Sequence, residues 1–183
     1  TTNLRDLSNN PEWLNLFGII DTTTTLQVND NGMRPSQRAT STSVAGVMQE
    51  LLDFSKASAA IELSGVYKSV DINDEPIVLS GKVILPAKGP IKRYILVSHY
   101  TIASNKEAPS NIFSLEGLLV KLGYALIIPD YIGYGVTADK VHPYLVMEIT
   151  ARNVLDMYKA VVPFLEKAGF SPEHDDIYLM GYS

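Results

Sequence analysis

Cysteine is absent from this sequence of 183 residues, and the chain has only one tryptophan and three histidines. The absence of cysteine excludes disulfide bonds, zinc–thiolate sites and a cysteine nucleophile. No apolar run approaches the roughly 18 residues that a membrane-spanning helix needs, so no transmembrane segment is predicted.

Positive charge is also scarce. The 15 Lys and Arg residues are outnumbered by 20 Asp and Glu residues, which gives a formal net charge of −5, and the basic residues form no cluster. Because nucleic-acid binders usually carry a basic face, and proteins held at anionic membranes a basic cluster, we expect neither as a partner. The 46% hydrophobic content is instead that of a globular chain that can bury one core.

The first 62 residues predict a separate N-terminal helical arm. Pro11, directly after Asn10, suits the start of a first helix. Its apolar face would hold Trp13, Phe17 and Ile20. A second helix is expected over residues 43–60, because apolar residues recur there at spacings of three and four. Packing against the rest of the protein is the simpler role for these helices, and a lid over a site is the alternative.

Residues 63–183 predict a domain of alternating strands and helices. Two strands rich in β-branched residues, Gly65–Asp71 and Ile77–Leu85, are joined by a turn-forming segment and form a hairpin. Three short apolar runs follow, as is typical of strands buried on both faces of a parallel sheet. They are Tyr94–Ser98, Ala125–Ile128 and Ile177–Met180, separated by helices expected at Phe113–Leu122 and Tyr144–Lys167. Right-handed crossovers place these three strands side by side.

Chemistry-bearing residues follow each of the three apolar strands. The last strand runs into Gly181-Tyr182-Ser183, the first half of a G-x-S-x-G nucleophile elbow, in which a tight turn after a strand holds a serine clear of the sheet. An ordinary turn serine is the alternative interpretation of so short a motif. Its position after the strand–helix series favours a catalytic role for Ser183.

The loops after the two earlier strands carry the other candidates. His99, Tyr100 and Thr101 follow the first strand, where backbone N–H groups can stabilise a developing oxyanion. The segment Pro129–Gly135 follows the second strand, and its tyrosines, Tyr131 among them, are expected to line a pocket. Asp130 precedes the candidate nucleophile, so a structural hydrogen-bonding role is favoured over a catalytic one.

Taken in order, these segments resemble a known family. The His-Tyr-Thr loop, Gly-Tyr-Ala-Leu-Ile-Ile-Pro-Asp-Tyr-Ile-Gly-Tyr-Gly, Val-His-Pro-Tyr-Leu, the Ala151–Asp156 helix and the final Gly-Tyr-Ser are similar to the secreted lipase and esterase branch of the α/β-hydrolase superfamily. The resemblance spans about Gly65 to Ser183. It implies an α/β-hydrolase fold, incomplete in this chain: a mostly parallel sheet with a leading antiparallel hairpin and helices on both faces.

The resemblance also implies a function. It predicts a serine hydrolase of small-molecule carboxylic esters that needs no cofactor, with Ser183 as nucleophile and the N–H of Thr101, or of Tyr100, as an oxyanion-hole donor. His99, Tyr131 and Tyr182 would support the loops or line the substrate pocket. Relatives often carry His-Gly where this chain has His99-Tyr100, so a differently shaped loop is expected. Family relatives are exported, so a secreted or periplasmic location is expected.

The triad acid and base would lie beyond Ser183. In this family the histidine follows the nucleophile, so the remaining C-terminal half of the fold is expected from the same or a second chain. Two alternatives stay open: a catalytically inactive α/β-hydrolase-like binding module, and a serine peptidase of the same fold. No metal site is predicted, because His99, His142 and His174 lack ligand spacing.

Overall fold

The computed structural model describes residues 18–25, 60–111 and 115–182, and the side-chain environment of residues 60–111 and 117–182. The candidate nucleophile Ser183 lies outside these ranges. So does the second helix predicted in the N-terminal arm, apart from its last residue, and so does most of the first. The predicted domain division after residue 62 therefore stays a prediction.

Six strands in the described ranges form one sheet, in the order β1-β2-β3-β5-β4-β6. They are β1 (Gly18–Thr25), β2 (Ala60–Val70), β3 (Pro76–Pro86), β4 (Arg93–Ser98), β5 (Tyr124–Pro129) and β6 (Tyr178–Gly181). The first three pairings are antiparallel, whereas β4 is parallel to both β5 and β6. The last three strands are therefore neighbours, as their apolar sequences predicted.

The predicted hairpin is formed by β2 and β3, which pair over their full lengths from Ala60↔Pro86 to Val70↔Pro76. Its turn is closed by the Asp71 N–H, which donates to the Glu75 carbonyl at 2.8 Å. Asp74 takes a positive φ of 61° there, a conformation that aspartate tolerates in turns. The hairpin thus supplies the antiparallel side of the sheet.

Helical segments cover both faces of the sheet. Side chains alternate between the two faces along each strand, so Ile127 packs beneath the long helix α1 (Met147–Lys167), whereas Leu126 and Ile128 point to the other side. That second face is covered by the 3-10 helix η1 (Leu115–Leu122), which contributes Val120. The predicted α/β class, with helices on both faces, is confirmed.

The local predictions differ from the structure at three places. Ile20, expected on the first helix, lies in strand β1, which is paired with β2 in the main sheet. The helix expected at Phe113–Leu122 is a 3-10 helix over Leu115–Leu122. The long helix begins at Met147 and not at Tyr144, because Leu145 has a φ of 62°, which no α-helical residue adopts. Among the described helices, none has the length and apolar character to cross a membrane.

Candidate active site

Three loops leave the same edge of the sheet because β4, β5 and β6 run parallel. Leu96 is level with Ile127 on one side of β4, and Ser98 is level with Gly181 on the other. The strands therefore end together, at Ser98, Pro129 and Gly181. Open α/β sheets bind their ligands at this carboxyl edge.

A cavity of about 600 Å³ opens at this edge. Its lining residues come from the end of β4 and its loop, from the loop after β5, from β6 and from the approach and first turns of α1. None of them is Asp, Glu, Lys or Arg, so the described wall carries no formal side-chain charge unless a histidine is protonated. They are Leu96, Ser98, His99, Tyr100, Thr101, Ile102, Tyr131, Tyr134, His142, Tyr144, Leu145, Val146, Met147, Thr150, Ala151, Val154, Leu155 and Leu179.

His99 links the loop after β4 to the loop after β5. Its Nδ1 lies 2.7 Å from the Tyr100 carbonyl oxygen, and its Nε2 lies 3.1 Å from that of Asp130. Carbonyls only accept, so a neutral ring, with a single N–H, can donate to one of the two. The ring also stacks on Tyr131 with 4.1 Å between centroids. The His99 ring thus contacts both loops at the carboxyl edge of the sheet.

Tyr131 sits in a backbone conformation that is rare for its type. Its φ is 72°, and a bulky residue with positive φ is an outlier that the surrounding structure has to maintain. The side chain is buried, which raises the pKa of the Tyr131 hydroxyl, although hydrogen bonds with the Ser98 side chain and the His99 backbone oppose the rise. Leu145, with its φ of 62°, lines the same cavity. Both unusual residues thus shape one site.

Asp130 lies beneath the cavity and does not line it. Its carboxylate is fully buried, and it accepts hydrogen bonds from the Ser80 hydroxyl at 2.6 Å and from the Ser110 N–H at 2.9 Å. These contacts tie the loop after β5 to β3 and to the segment before η1. The arrangement fits the structural role that the sequence favoured for this residue.

His142 and the segment before α1 form the wall that sequence reasoning missed. The His142 Nδ1 lies 2.7 Å from the Ile132 carbonyl oxygen, and its backbone is so close to Gly133 that a Cβ there would meet it at 2.8 Å. This packing brings Tyr144, Leu145 and Met147 over the cavity. Tyr144 and Leu145 of the Val-His-Pro-Tyr-Leu segment are exposed apolar side chains, and a cluster of these is typical of a ligand-binding groove.

The structure brings most of the candidate residues together. His99, Tyr100, Thr101 and Tyr131 all line the cavity, and the Tyr182 ring lies 5.6 Å from the Tyr100 ring, centroid to centroid. Tyr182 is thus beside the loop after β4, and the next residue, Ser183, falls outside the described ranges. Among the described residues, no three His, Cys, Asp or Glu side chains group together as metal ligands would.

Comparison with known proteins gives similarity at the level of three-dimensional structure. No protein-family model and no curated protein matches the sequence. A Legionella pneumophila protein provisionally described as a hydrolase, lpg1103, is similar over 68% of this chain, with 25% identity and a TM-score of 0.60. The rice cell wall degrading esterase LipA of Xanthomonas oryzae is similar over 75% of the chain, with 20% identity and a TM-score of 0.62.

These similarities cover only part of each known structure. The chain spans 35% of the Legionella protein and 38% of LipA, which is about a third of their length. At these identities, the match to LipA establishes a common fold.

Proposed function

The chain carries part of the α/β-hydrolase fold, and from that premise we propose that it forms the nucleophile-bearing portion of a serine esterase. Ser183 is the nucleophile, and the acid and general base come from the remainder of the fold. The observation that carries this proposal is the contact between Tyr182, which precedes Ser183, and Tyr100 of the loop after β4. That contact brings the strand of the nucleophile beside the loop of the oxyanion donors, at the mouth of an apolar cavity.

The reaction would proceed by acyl transfer. The Ser183 hydroxyl attacks the ester carbonyl while a histidine of the remaining fold takes its proton. The oxygen of the tetrahedral intermediate accepts hydrogen bonds from the N–H of Thr101 or Tyr100, and losing one such donor typically costs about 2.7–4 kcal/mol of transition-state stabilisation. Collapse of the intermediate expels the alcohol, which takes the proton from histidine, and water then releases the acid from the acyl-enzyme.

The cavity wall favours an ester over a peptide substrate. Its described lining is mostly aromatic and aliphatic, with Ser98, Thr101 and Thr150 among it, and contains no Asp, Glu, Lys or Arg. A peptide would bring several backbone N–H and C=O groups that need partners, and a mostly apolar wall offers few of them. A small neutral ester buries apolar area there at no such cost, so a small-molecule ester is the proposed substrate class.

A location outside the cytoplasm is part of the proposal. LipA of Xanthomonas oryzae, one of the similar structures, is a cell wall degrading esterase, and a wall polymer is reached only by an exported enzyme. Because the chain has no cysteine, an oxidising compartment would form no disulfide bond in it. Fractionation of the producing cells, followed by detection of the protein, tests this part.

The decisive experiment uses the complete protein that contains this chain. Intact-mass spectrometry before and after treatment with a fluorophosphonate should show one adduct, and Ser183→Ala should abolish it. Ser171→Ala, which changes an exposed serine outside the helices and strands, is the matched control and should label normally. An adduct that persists in Ser183→Ala would overturn the nucleophile assignment. Absence of any adduct on the complete protein would favour the inactive binding module.

A further inference from the structure

We propose that Tyr134 is a positioning residue for this reaction, because its hydroxyl fixes the loop that carries the oxyanion-hole donor. The inference rests on the proposed esterase function. Tyr134 comes from the loop after β5, whereas the donors Tyr100 and Thr101 come from the loop after β4. A contact between the two loops would therefore set the geometry of the oxyanion hole.

The central contact holds one peptide unit from both sides. The Tyr134 hydroxyl donates a hydrogen bond to the Ile102 carbonyl oxygen at 2.8 Å. The N–H of the same peptide unit, that of Ala103, donates to Oε2 of Glu107 at 2.9 Å. Because a peptide unit is planar, fixing its oxygen and its N–H fixes its orientation. The peptide unit that joins Ile102 to Ala103, one residue beyond Thr101, therefore cannot rotate without breaking one of these bonds.

The peptide unit on the other side of Thr101 lies against His99. The Tyr100 carbonyl oxygen faces His99 Nδ1 at 2.7 Å. This carbonyl and the Thr101 N–H belong to one planar peptide unit and point in opposite directions, so the position of the oxygen determines where the N–H points. The two peptide units that flank the Thr101–Ile102 pair therefore both have a contact at their carbonyl, the first with His99 and the second with Tyr134.

Tyr134 is itself firmly placed. It precedes a short 3-10 turn, Gly135–Thr137, in which the Thr137 hydroxyl donates to the Tyr134 carbonyl at 3.0 Å. The following Gly135 N–H donates to Oδ1 of Asn105 at 2.6 Å, which is a second bond between the same two loops. Burial raises the pKa of the Tyr134 hydroxyl, and the negative charge of Glu107 adds to the rise. The hydroxyl thus stays protonated, and able to donate, over the neutral range.

The kinetic effect of a misplaced oxyanion donor depends on the stage of the reaction at which the donor acts. They bind charge that appears only in the transition state, so their misplacement lowers kcat and leaves KM nearly unchanged. The loss of one neutral hydrogen bond to the loop corresponds to roughly a three- to tenfold change in an equilibrium or rate. We therefore expect Tyr134→Phe, in the complete protein, to lower kcat and the rate of fluorophosphonate labelling by that factor, with KM changed less than about twofold.

Tyr94→Phe is a matched control for this variant. The Tyr94 hydroxyl also donates to a backbone carbonyl, that of Phe170, at 2.7 Å, but this contact packs the end of α1 and lies away from the cavity. Both variants remove one hydroxyl and one hydrogen bond of the same kind. They should lower the thermal midpoint comparably, whereas only Tyr134→Phe should lower kcat. Equal effects of the two variants on kcat would overturn the proposal.

Amide hydrogen exchange of the peptide that covers residues 99–104 gives a readout independent of activity. Faster exchange in Tyr134→Phe than in Tyr94→Phe supports the positioning role, and unchanged exchange overturns it, whatever the kinetics. Failure of the esterase proposal is distinguished by the wild-type protein. If that protein neither hydrolyses p-nitrophenyl esters nor reacts with the probe, the proposed esterase reaction is wrong. Tyr134 then has no role in catalysis, even if hydrogen exchange shows that it orders the loop.

Discussion

The Ser80 hydroxyl donates a hydrogen bond to Oδ2 of Asp130 at 2.6 Å, across 50 positions of sequence and in the buried interior. Ser80 lies on β3, and Asp130 is the first residue after β5. The two strands are antiparallel neighbours, and the backbone repeats the connection, since the Asp130 N–H donates to the Ser80 carbonyl at 3.0 Å. The side of the sheet that the hairpin supplies thus anchors the loop that carries Tyr131 and Tyr134.

Replacement of Ser80 by alanine should destabilise the protein by about 1–3 kcal/mol, because it leaves buried polar groups without partners. The Ser80 oxygen accepts from the Val136 N–H at 3.0 Å while its hydrogen serves Asp130, so one substitution removes two bonds. Urea denaturation of both proteins measures the change. Ser171→Ala, at an exposed position, should stay within about 0.5 kcal/mol of wild type. Equal stabilities of the two variants would contradict the importance of this network.

Gly135 adjoins the same network and cannot carry a side chain. Its φ is 59°, and a Cβ would overlap both the Ser80 Oγ and the Asp130 Oδ2. We expect Gly135→Ala to lower the free energy of unfolding by about 3 kcal/mol or more, since left-handed strain of roughly 1–2 kcal/mol adds to the steric displacement. Denaturant titration at neutral pH measures this loss.

Gly89→Ala separates the two contributions. Gly89 has a comparable positive φ of 85°, but nothing lies within 4 Å of a Cβ built there. Its replacement should therefore show the backbone strain alone, roughly 1–2 kcal/mol. If Gly135→Ala lowers the free energy of unfolding no more than Gly89→Ala does, the hydrogen-bonded groups around Asp130 can move aside at little energetic cost.

The sequence predicted the sheet edge at which the candidate site lies better than it predicted the residues that line the cavity. Strands β4 and β5 were recognisable because both of their faces are buried, which leaves nearly continuous apolar runs such as Ala125–Ile128. Strand β6 carries a similar apolar run, although most of its residues are exposed within the described part of the chain. The loops that follow them were then assigned to one edge by topology alone. His99, Tyr100, Thr101 and Tyr131 were found in this way.

Other features depend on contacts distant in sequence. Leu145 and Leu179 line the cavity while 85% and 76% exposed, and no periodicity distinguishes such residues from those of a buried face. Strand β1 was missed because Ile20 fitted a helical spacing, although Thr22–Thr25 is a run of β-branched residues that favours a strand. The contact between the Tyr134 hydroxyl and the Ile102 carbonyl could not be predicted, because it depends on the relative position of two loops 30 residues apart in sequence.

Breaking the buried ion pair of the hairpin should destabilise the protein strongly, whereas replacing both charged residues by apolar ones should change its stability little. Lys82 Nζ lies 2.8 Å from Oε2 of Glu62, and both side chains are nearly inaccessible. Lys82→Met alone leaves a buried carboxylate without its counter-charge and should cost about 3–5 kcal/mol, whereas the double variant Lys82→Met/Glu62→Leu should lie near the wild type. Chemical denaturation of the single and double variants, compared with the wild type, measures both changes in the free energy of unfolding. A double variant as unstable as the single one would show that the pair has no apolar substitute here.

The buried tyrosines predict a loss of stability at high pH. Burial raises the pKa of Tyr67 well above its usual value, the charges of Asp130 and Asp156 add to the rise, and burial also raises the pKa of Tyr94. A folded-state pKa above the unfolded one stabilises the fold fully below the unfolded value, about 10 for tyrosine, and this contribution is lost as the pH rises through the folded value. The urea midpoint should therefore hold between pH 7 and 9 and fall above about pH 10.

Tyr67→Phe tests both the sign and the source of this pH dependence. Within the part of the chain that the structure describes, the Tyr67 hydroxyl is buried and has no hydrogen-bond partner. Its removal at pH 7 should therefore cost nothing or stabilise the protein slightly, whereas Tyr94→Phe, which loses the bond to Phe170, should cost about 1 kcal/mol. Above pH 10 the Tyr67→Phe protein should lose less stability than wild type, because one ionisable group with a raised pKa is gone. A steeper alkaline loss in this variant would mean that the phenol at position 67 ionises more readily in the folded protein than in the unfolded chain.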